Sequence, residues 1–324
     1  MFSFAMRRTT LLALACLVPL IAAATDRPKG DFRKCEQVTA TCPLYATLYG
    51  YRPDLAANSF LCALFGVCFI ASLLIGTMTK TWTYTIALGI GTFLECAGYI
   101  GRLMMNNNPW SDSGFKLQIC ALVLGPSFVA AAIYLTLKHF VLYCGPQHSL
   151  IKARLYPWIF VGCDFGSMVL QGIGGGMAAA GGTKNQKLIN GGNKMIVAGI
   201  AFQVVTMAVC GILVLVYVFR YKKSTSRDVG EKSAYHVDKD SGSTPLWKVK
   251  TFGWAVIVAY FTVLIRCIYR LPEMAGGWGN SLMRDEREFL LLDGMMLAIA
   301  CTLLTVFHPA FFFPPFAAFR RRQK

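Results

Sequence analysis

Charge is scarce in this 324-residue chain, and negative charge is scarcest: 16 Asp and Glu stand against 32 Lys and Arg, and the four types make up 15% of the total. With 55% hydrophobic residues, that excludes an ordinary soluble enzyme of this length. Histidine is rarer still. Four histidines form neither a His-x-x-x-His nor a His-Glu-x-x-His pair, so a zinc-dependent membrane hydrolase is disfavoured and no metal or cofactor is expected. His308, just before Pro309, reads as a hydrogen-bonded helix-end residue, with haem ligation the weaker reading. Gly181-Gly182-Thr183-Lys184 lacks the Walker spacing of a phosphate cradle. No Asn-x-Ser/Thr sequon occurs, which predicts no N-glycosylation. No nucleophile–base pair or metal triad can be assembled from spacing, so catalysis is not expected. No basic groove with interleaved aromatics is present either. The net charge of +16 is therefore assigned to topology and anionic headgroups, not to nucleic acid.

What the chain has in abundance is long apolar stretches. Seven of them, at 57–79, 82–101, 116–138, 155–179, 194–219, 251–271 and 289–313, reach or approach the roughly 20 residues that cross a hydrocarbon core of about 30 Å. The expected fold is all-α: a polytopic bundle of seven transmembrane helices over residues 57–313. Residues 1–24 carry Arg7 and Arg8, an apolar run from Thr9 to Ile21 and the small triplet Ala22-Ala23-Ala24. This pattern predicts a cleaved secretory signal, the alternative being a short uncleaved anchor. Residues 25–56 then form an extracytoplasmic segment, in which Cys35 and Cys42 either close a small loop or remain free thiols. Most of the twelve cysteines lie inside apolar helices and act there as small hydrophobes.

Lys and Arg concentrate in the fifth connection, Arg220 to Lys250, and in the basic tail at 314–324. Both abut helix ends, so the positive-inside rule places them in the cytoplasm and the N-terminus outside. The fifth connection, rich in Lys, Ser, Asp and Gly, should be mobile, and with the tail it offers a surface for a cytoplasmic partner.

Against this background the interior polar residues stand out. Glu95 and Arg102 share one face of the second span; Asp164, Ser167 and Gln171 form a stripe on the fourth; Arg266, Arg270 and Glu273 line the sixth. Asp293 lies one turn into the seventh, and Gln118 and Gln203 add neutral donors on the third and fifth. A charge at the bilayer centre costs roughly 2.5–3.5 kcal/mol on the most lenient scale, so such residues face inward and mark binding or transport paths. The competing reading is mutual neutralisation that merely holds the bundle together. With the N-terminus outside, most of the set falls in the outer half, which suggests a pocket open outward, with Asp164 on the cytoplasmic side of the midplane. The fourth span also carries Gly162-x-x-x-Gly166 and Gly172-x-x-x-Gly176, expected to serve tight internal packing, or else a dimer seam or hinge.

In order along the chain, these residues resemble a known family. Tyr51-x-Pro53-x-x-x-x-Asn58 is similar to its entry to the first helix, and Glu95-x-x-Gly98-Tyr99-x-x-Arg102 to its second-helix motif. Pro126 with Ala130 and Tyr134, Asp164-x-x-Ser167-x-x-x-Gln171-x-x-Gly174-Gly175, and Gly199-x-x-x-Gln203 resemble the next three. Arg266-x-x-Tyr269-Arg270-x-x-Glu273, then Glu286, Asp293 and His308-Pro309, resemble the last two. The family is the fungal RTA-like lipid-translocating exporters. Departures are local: Arg287 and Leu290 stand where aromatics are common, and Asp54 where Ser is usual.

The resemblance implies a seven-span plasma-membrane protein, reached through the secretory pathway. It would export sphingoid long-chain bases or toxic amphiphiles, with Glu95 or Asp293 pairing with a lipid amine. Arg102, Arg266 and Arg270 would balance those acids or contact phosphate and hydroxyls. A receptor for an extracellular lipid or stress signal fits the same topology, and porphyrin uptake is a third activity linked to the family.

Overall fold

A computed structural model of the chain describes residues 35–144, 149–152, 155–181, 185–228, 246–277 and 279–312. The expected signal at 1–24 and the basic tail at 314–324 lie outside the described residues, as does the middle of the fifth connection. The architecture is helical, with no strand among the described residues. The long helices are α1 (Leu55–Thr79), α2 (Trp82–Asn107), α3 (Asp112–Cys144), α4 (Leu155–Gly181), α5 (Gln186–Asp228), α6 (Leu246–Ala275) and α7 (Glu286–Val306). A single turn, Pro309–Phe312, follows α7. Of these seven long helices, all except α4 are both long and apolar enough to cross a membrane. At 27 residues α4 has the length, but its glycines, Asp164 and Gln171 dilute its apolar character.

Local chemistry sets the helix ends. Asp54 caps α1 by accepting from the Ala57 N–H at 2.7 Å. Lys80 closes α1 in the left-handed region (φ 57°), and the chain re-enters a helix at Trp82. Asp285 caps α7 by accepting from the Arg287 and Glu288 N–H groups. The helix α5 runs past the expected loop start at Arg220 to Asp228; the Lys and Arg there are good helix formers and need no lipid.

Where the connection is short, successive helices are antiparallel neighbours. The closest pairs are α1 with α2, α2 with α3, and α4 with α5, while α7 packs on α6 and α1. Lipid removes the hydrophobic drive between helices, so close approach depends on small residues. Gly101 of α2 and Gly114 of α3 face each other's backbone: an added Cβ would lie 2.7 Å from the Gly114 carbonyl or 2.9 Å from that of Gly101. Gly174 of α4 and Gly192 of α5 are paired in the same reciprocal way. By contrast Gly162, Gly166, Gly172 and Gly176 have nothing within 4 Å, so the spaced glycines of α4 do not serve internal packing. Packing falls to Gly174 because it lies on the face toward α5.

Apolar side chains clothe the outside of the bundle. Phe60, Val67, Ile70 and Leu74 of α1 are exposed, as are Trp82, Trp158 and Trp247 near the starts of α2, α4 and α6. Tryptophan at these ends matches an interfacial belt. The polar residues take the interior instead.

Candidate functional site

All ten polar residues singled out from the sequence are buried: Glu95, Arg102, Gln118, Asp164, Gln171, Gln203, Arg266, Arg270, Glu273 and Asp293. Nine of them divide into four groups rather than one pocket, and Gln118 stands apart.

The first is a clamp around Arg102. Its Nε donates to Asn58 Oδ1 at 2.7 Å, and Nη2 donates to Glu286 Oε1 at 2.9 Å and to the Tyr51 hydroxyl at 3.2 Å. The same Glu286 oxygen accepts from the Asp54 N–H and from Asn58 Nδ2. The guanidinium lies 4.2 Å from the Phe289 ring centroid. Arg102 thus ties the end of α2 to the starts of α1 and α7. It does not balance Glu95, because seven residues on one helix face are separated by about 10 Å of rise, and its ion pair is with Glu286, not Asp293. Burial pushes the Tyr51 phenol up, an effect that Arg102 partly opposes. Gln118 stands apart, its Nε2 donating to the buried Tyr49 hydroxyl at 3.0 Å.

The second group links α6 and α7. Arg266 Nε lies 3.0 Å from Asp293 Oδ1, and Arg270 Nε lies 3.8 Å from the same oxygen. Arg270 Nη1 also pairs with Glu273 Oε2 at 2.8 Å. Arg266 Nη2 donates to the Leu122 carbonyl of α3 at 2.6 Å. Pro126, four residues on, has no N–H to meet that carbonyl. Arg266 fills the vacancy, which in lipid would otherwise go unsatisfied. Glu95 belongs to this group by proximity: Arg266, Asp293 and Arg270 act on it electrostatically. Neither of its carboxylate oxygens has a hydrogen-bond partner. Gly125 leaves it room, since a Cβ there would run into Glu95 Oε1.

The third group crosses α3, α5 and α4: Gln203 Nε2 donates to Ser127 Oγ at 3.0 Å, and Gln171 Nε2 reaches Gln203 Oε1 at 3.5 Å. Gln171, Gln203, Arg266 and Arg270 border one narrow cleft of about 20 Å³, enough for about one water. The fourth is Asp164, whose carboxylate oxygens lack hydrogen bonds and whose polar neighbour is Tyr134. A wider cleft of about 590 Å³ opens at the rim, between Tyr51 and the stretch Ser281 to Arg287. The outward-open pocket is therefore replaced by a closed polar core beneath a surface cleft.

One helix element has no counterpart in the sequence pattern. Residues Phe289–Met295 of α7 form a π-helix, and Asp293 sits within it. Such segments are rare and cluster at functional sites. Gly294 occurs there where a side chain would strike the Tyr99 hydroxyl.

The family model for RTA1-like proteins matches residues 88–315, more than two thirds of the chain. The chain belongs to the RTA1-like protein family. It is an integral membrane protein, as its apolar helices require. Among its relatives in Saccharomyces cerevisiae, the sphingoid long-chain base transporter RSB1 is 30% identical over 289 residues, covering 82% of this chain and 75% of the relative. Protein RTA1 is 25% identical, covering 81% and 84%. Protoporphyrin uptake protein 1 is 26% identical, covering 71% and 70%. No solved structure matches the chain.

The structure of this RTA1-like protein also brings in residues that charge within spans did not single out. Asn58, Glu286 and Tyr51 complete the Arg102 clamp, and Ser127 completes the glutamine chain. Three of these stand in the motifs quoted above, so motif membership was the available signal. Cys35 and Cys42 form a disulfide with Cα atoms 5.7 Å apart.

Proposed function

We propose that this RTA1-like protein is a seven-span transporter that moves amphipathic lipids, such as sphingoid long-chain bases, across or out of the bilayer. The observation that carries the reading is the buried ionic core joining α2, α6 and α7 through Glu95, Arg266, Arg270, Glu273 and Asp293. Lipid-facing helices need no such core, and ionisable groups kept at this depth mark substrate paths. Kinship with a protein named as a sphingoid long-chain base transporter supports the substrate class.

In this reading α4 completes the seven spans, the N-terminus lies outside, and 220–250 and the tail face the cytoplasm and any partner there. The secretory signal delivers the protein to the plasma membrane. The rim cleft beside Tyr51 and Glu286 receives the polar headgroup, and Glu95 or Asp293 engages the amine deeper in. Asp164, Gln171 and Gln203 continue the polar path inward. The core as it stands is closed, so passage needs helix movement. Pro126 in α3, Pro272 in α6 and the π-segment of α7 are where backbone bonding is already interrupted.

Flipping of a fluorescent long-chain base in proteoliposomes tests this directly. Wild-type protein should exceed empty liposomes, and Glu95→Gln and Asp293→Asn should alter the rate. Equal rates in all three would remove those residues from the site. Porphyrin is the second substrate to test, because one relative is named for protoporphyrin uptake.

A further inference from the structure

The ionic core does not balance. Among the described residues it holds Arg266 and Arg270 against Glu95, Glu273 and Asp293, all nearly or fully buried. Each arginine is committed: Arg266 to Asp293 and the Leu122 carbonyl, Arg270 to Glu273 and more distantly to Asp293. Arg102 is not available, being held by Glu286, Asn58 and Tyr51. One negative charge is left over, and of the three acids Glu95 is the one that has neither an ion pair nor a hydrogen bond among the described residues.

The charged and titratable neighbours of Glu95 come from three helices. Arg266 and Arg270 face it from α6, Asp293 and Cys301 from α7, and Tyr99 from its own helix. Beside it, α3 presents the bare backbone of Gly125. A fully buried carboxylate with two empty oxygens pays a large desolvation cost, and a bound proton removes it. A lipid ammonium would remove it equally well, by supplying the missing positive charge.

We propose that Glu95 is an exchangeable proton site, and that a proton and a substrate amine compete for it, which makes lipid transfer a proton-exchange process. The proposal rests on the lipid-transport reading for its coupling and on the charge imbalance alone for the proton. The step balances: the ammonium group of the lipid pairs with the Glu95 carboxylate as the carboxyl proton leaves to water. No covalent bond other than O–H changes. Lipid and proton then move in opposite directions through alternating exposure of one site. Asp164 lacks partners as well, but no arginine network lies with it to make its charge conditional on substrate.

Two measurements on full-length protein in lipid vesicles test this. Infrared difference spectra at neutral pH, wild type against Glu95→Gln, should show a protonated-carboxyl band that the variant loses. An identical band in both would overturn the proton site. In transfer assays with fluorescent sphingoid base, acidifying the receiving compartment should accelerate wild type, whereas Glu95→Gln should run at one rate with or without the gradient. A wild type indifferent to the gradient, or a variant that still responds, overturns the coupling. Absence of any transfer by wild type would instead overturn the lipid-transport reading, leaving the infrared comparison to decide the proton site.

Discussion

Arg266 satisfies the carbonyl that Pro126 exposes: its Nη2 lies 2.6 Å from the Leu122 oxygen, the acceptor whose helical donor would have been residue 126. The proline therefore creates the binding partner that draws a cation from α6 into the middle of α3. The same guanidinium then holds Asp293 of α7. One missing N–H organises three helices.

The coupling between Pro126 and Arg266 is measurable as a double-mutant cycle. Arg266→Ala leaves the Leu122 carbonyl unpaired and Asp293 with only the more distant Arg270, a loss of about 3–5 kcal/mol for a broken buried pair. In a Pro126→Ala background the Leu122 carbonyl regains a helical donor, so the same substitution should cost less. Thermal unfolding in detergent gives both values; equal costs would show that Arg266 does not serve the carbonyl.

Arg102 should behave as a structural clamp rather than a transport residue. Arg102→Ala and Glu286→Ala should each destabilise by about 3–5 kcal/mol, and the double variant should lose less than the sum. If either single variant melts as the wild type does, the clamp is not holding the starts of α1 and α7 to the end of α2.

Asp164 separates stability from function. It is buried with no hydrogen bond to its oxygens, so Asp164→Leu should stabilise the fold by about 1–3 kcal/mol for removing an unsatisfied group, read as a higher melting temperature, and Asp164→Asn by less, since its amide stays unpaired. If Asp164 lies on the transport path, the same variants should lower transfer. A stabilised variant with full transport would leave Asp164 without a role in the path.

Gly101 tests the packing argument. Its Cβ position lies 2.7 Å from the Gly114 carbonyl, so Gly101→Leu must force α2 and α3 apart. Overpacking of this kind costs about 1–3 kcal/mol or more. Gly162→Leu, with nothing within 4 Å of that glycine, should unfold like the wild type within experimental error.

The helices were legible because hydropathy and length are properties of each segment by itself. The expected starts of α2 and α4 coincide with the observed ones, and that of α1 differs by two residues. Where expectation stopped short, as at Arg220, polar helix continued beyond the lipid and hydropathy no longer reported it. Buried polarity was legible too, since every polar residue picked from inside a span is sheltered. Pairing was not. Glu95 and Arg102 share a face yet join different groups, and Arg102 finds Glu286 from the far end of the chain.

What the sequence determined alone, then, was the medium and the inventory: apolar helices of bilayer length with a small set of charges that lipid would not tolerate. Only the tertiary structure decided how those charges are shared out. Helical periodicity states which face a residue occupies but not which helix lies opposite. Asp293, in the π-segment, meets Arg266, Pro126 lends Arg266 a second acceptor, and Gly125 makes space for Glu95 without offering it a donor. Glu95 is left without an ion pair because two arginines, placed by packing, are already taken.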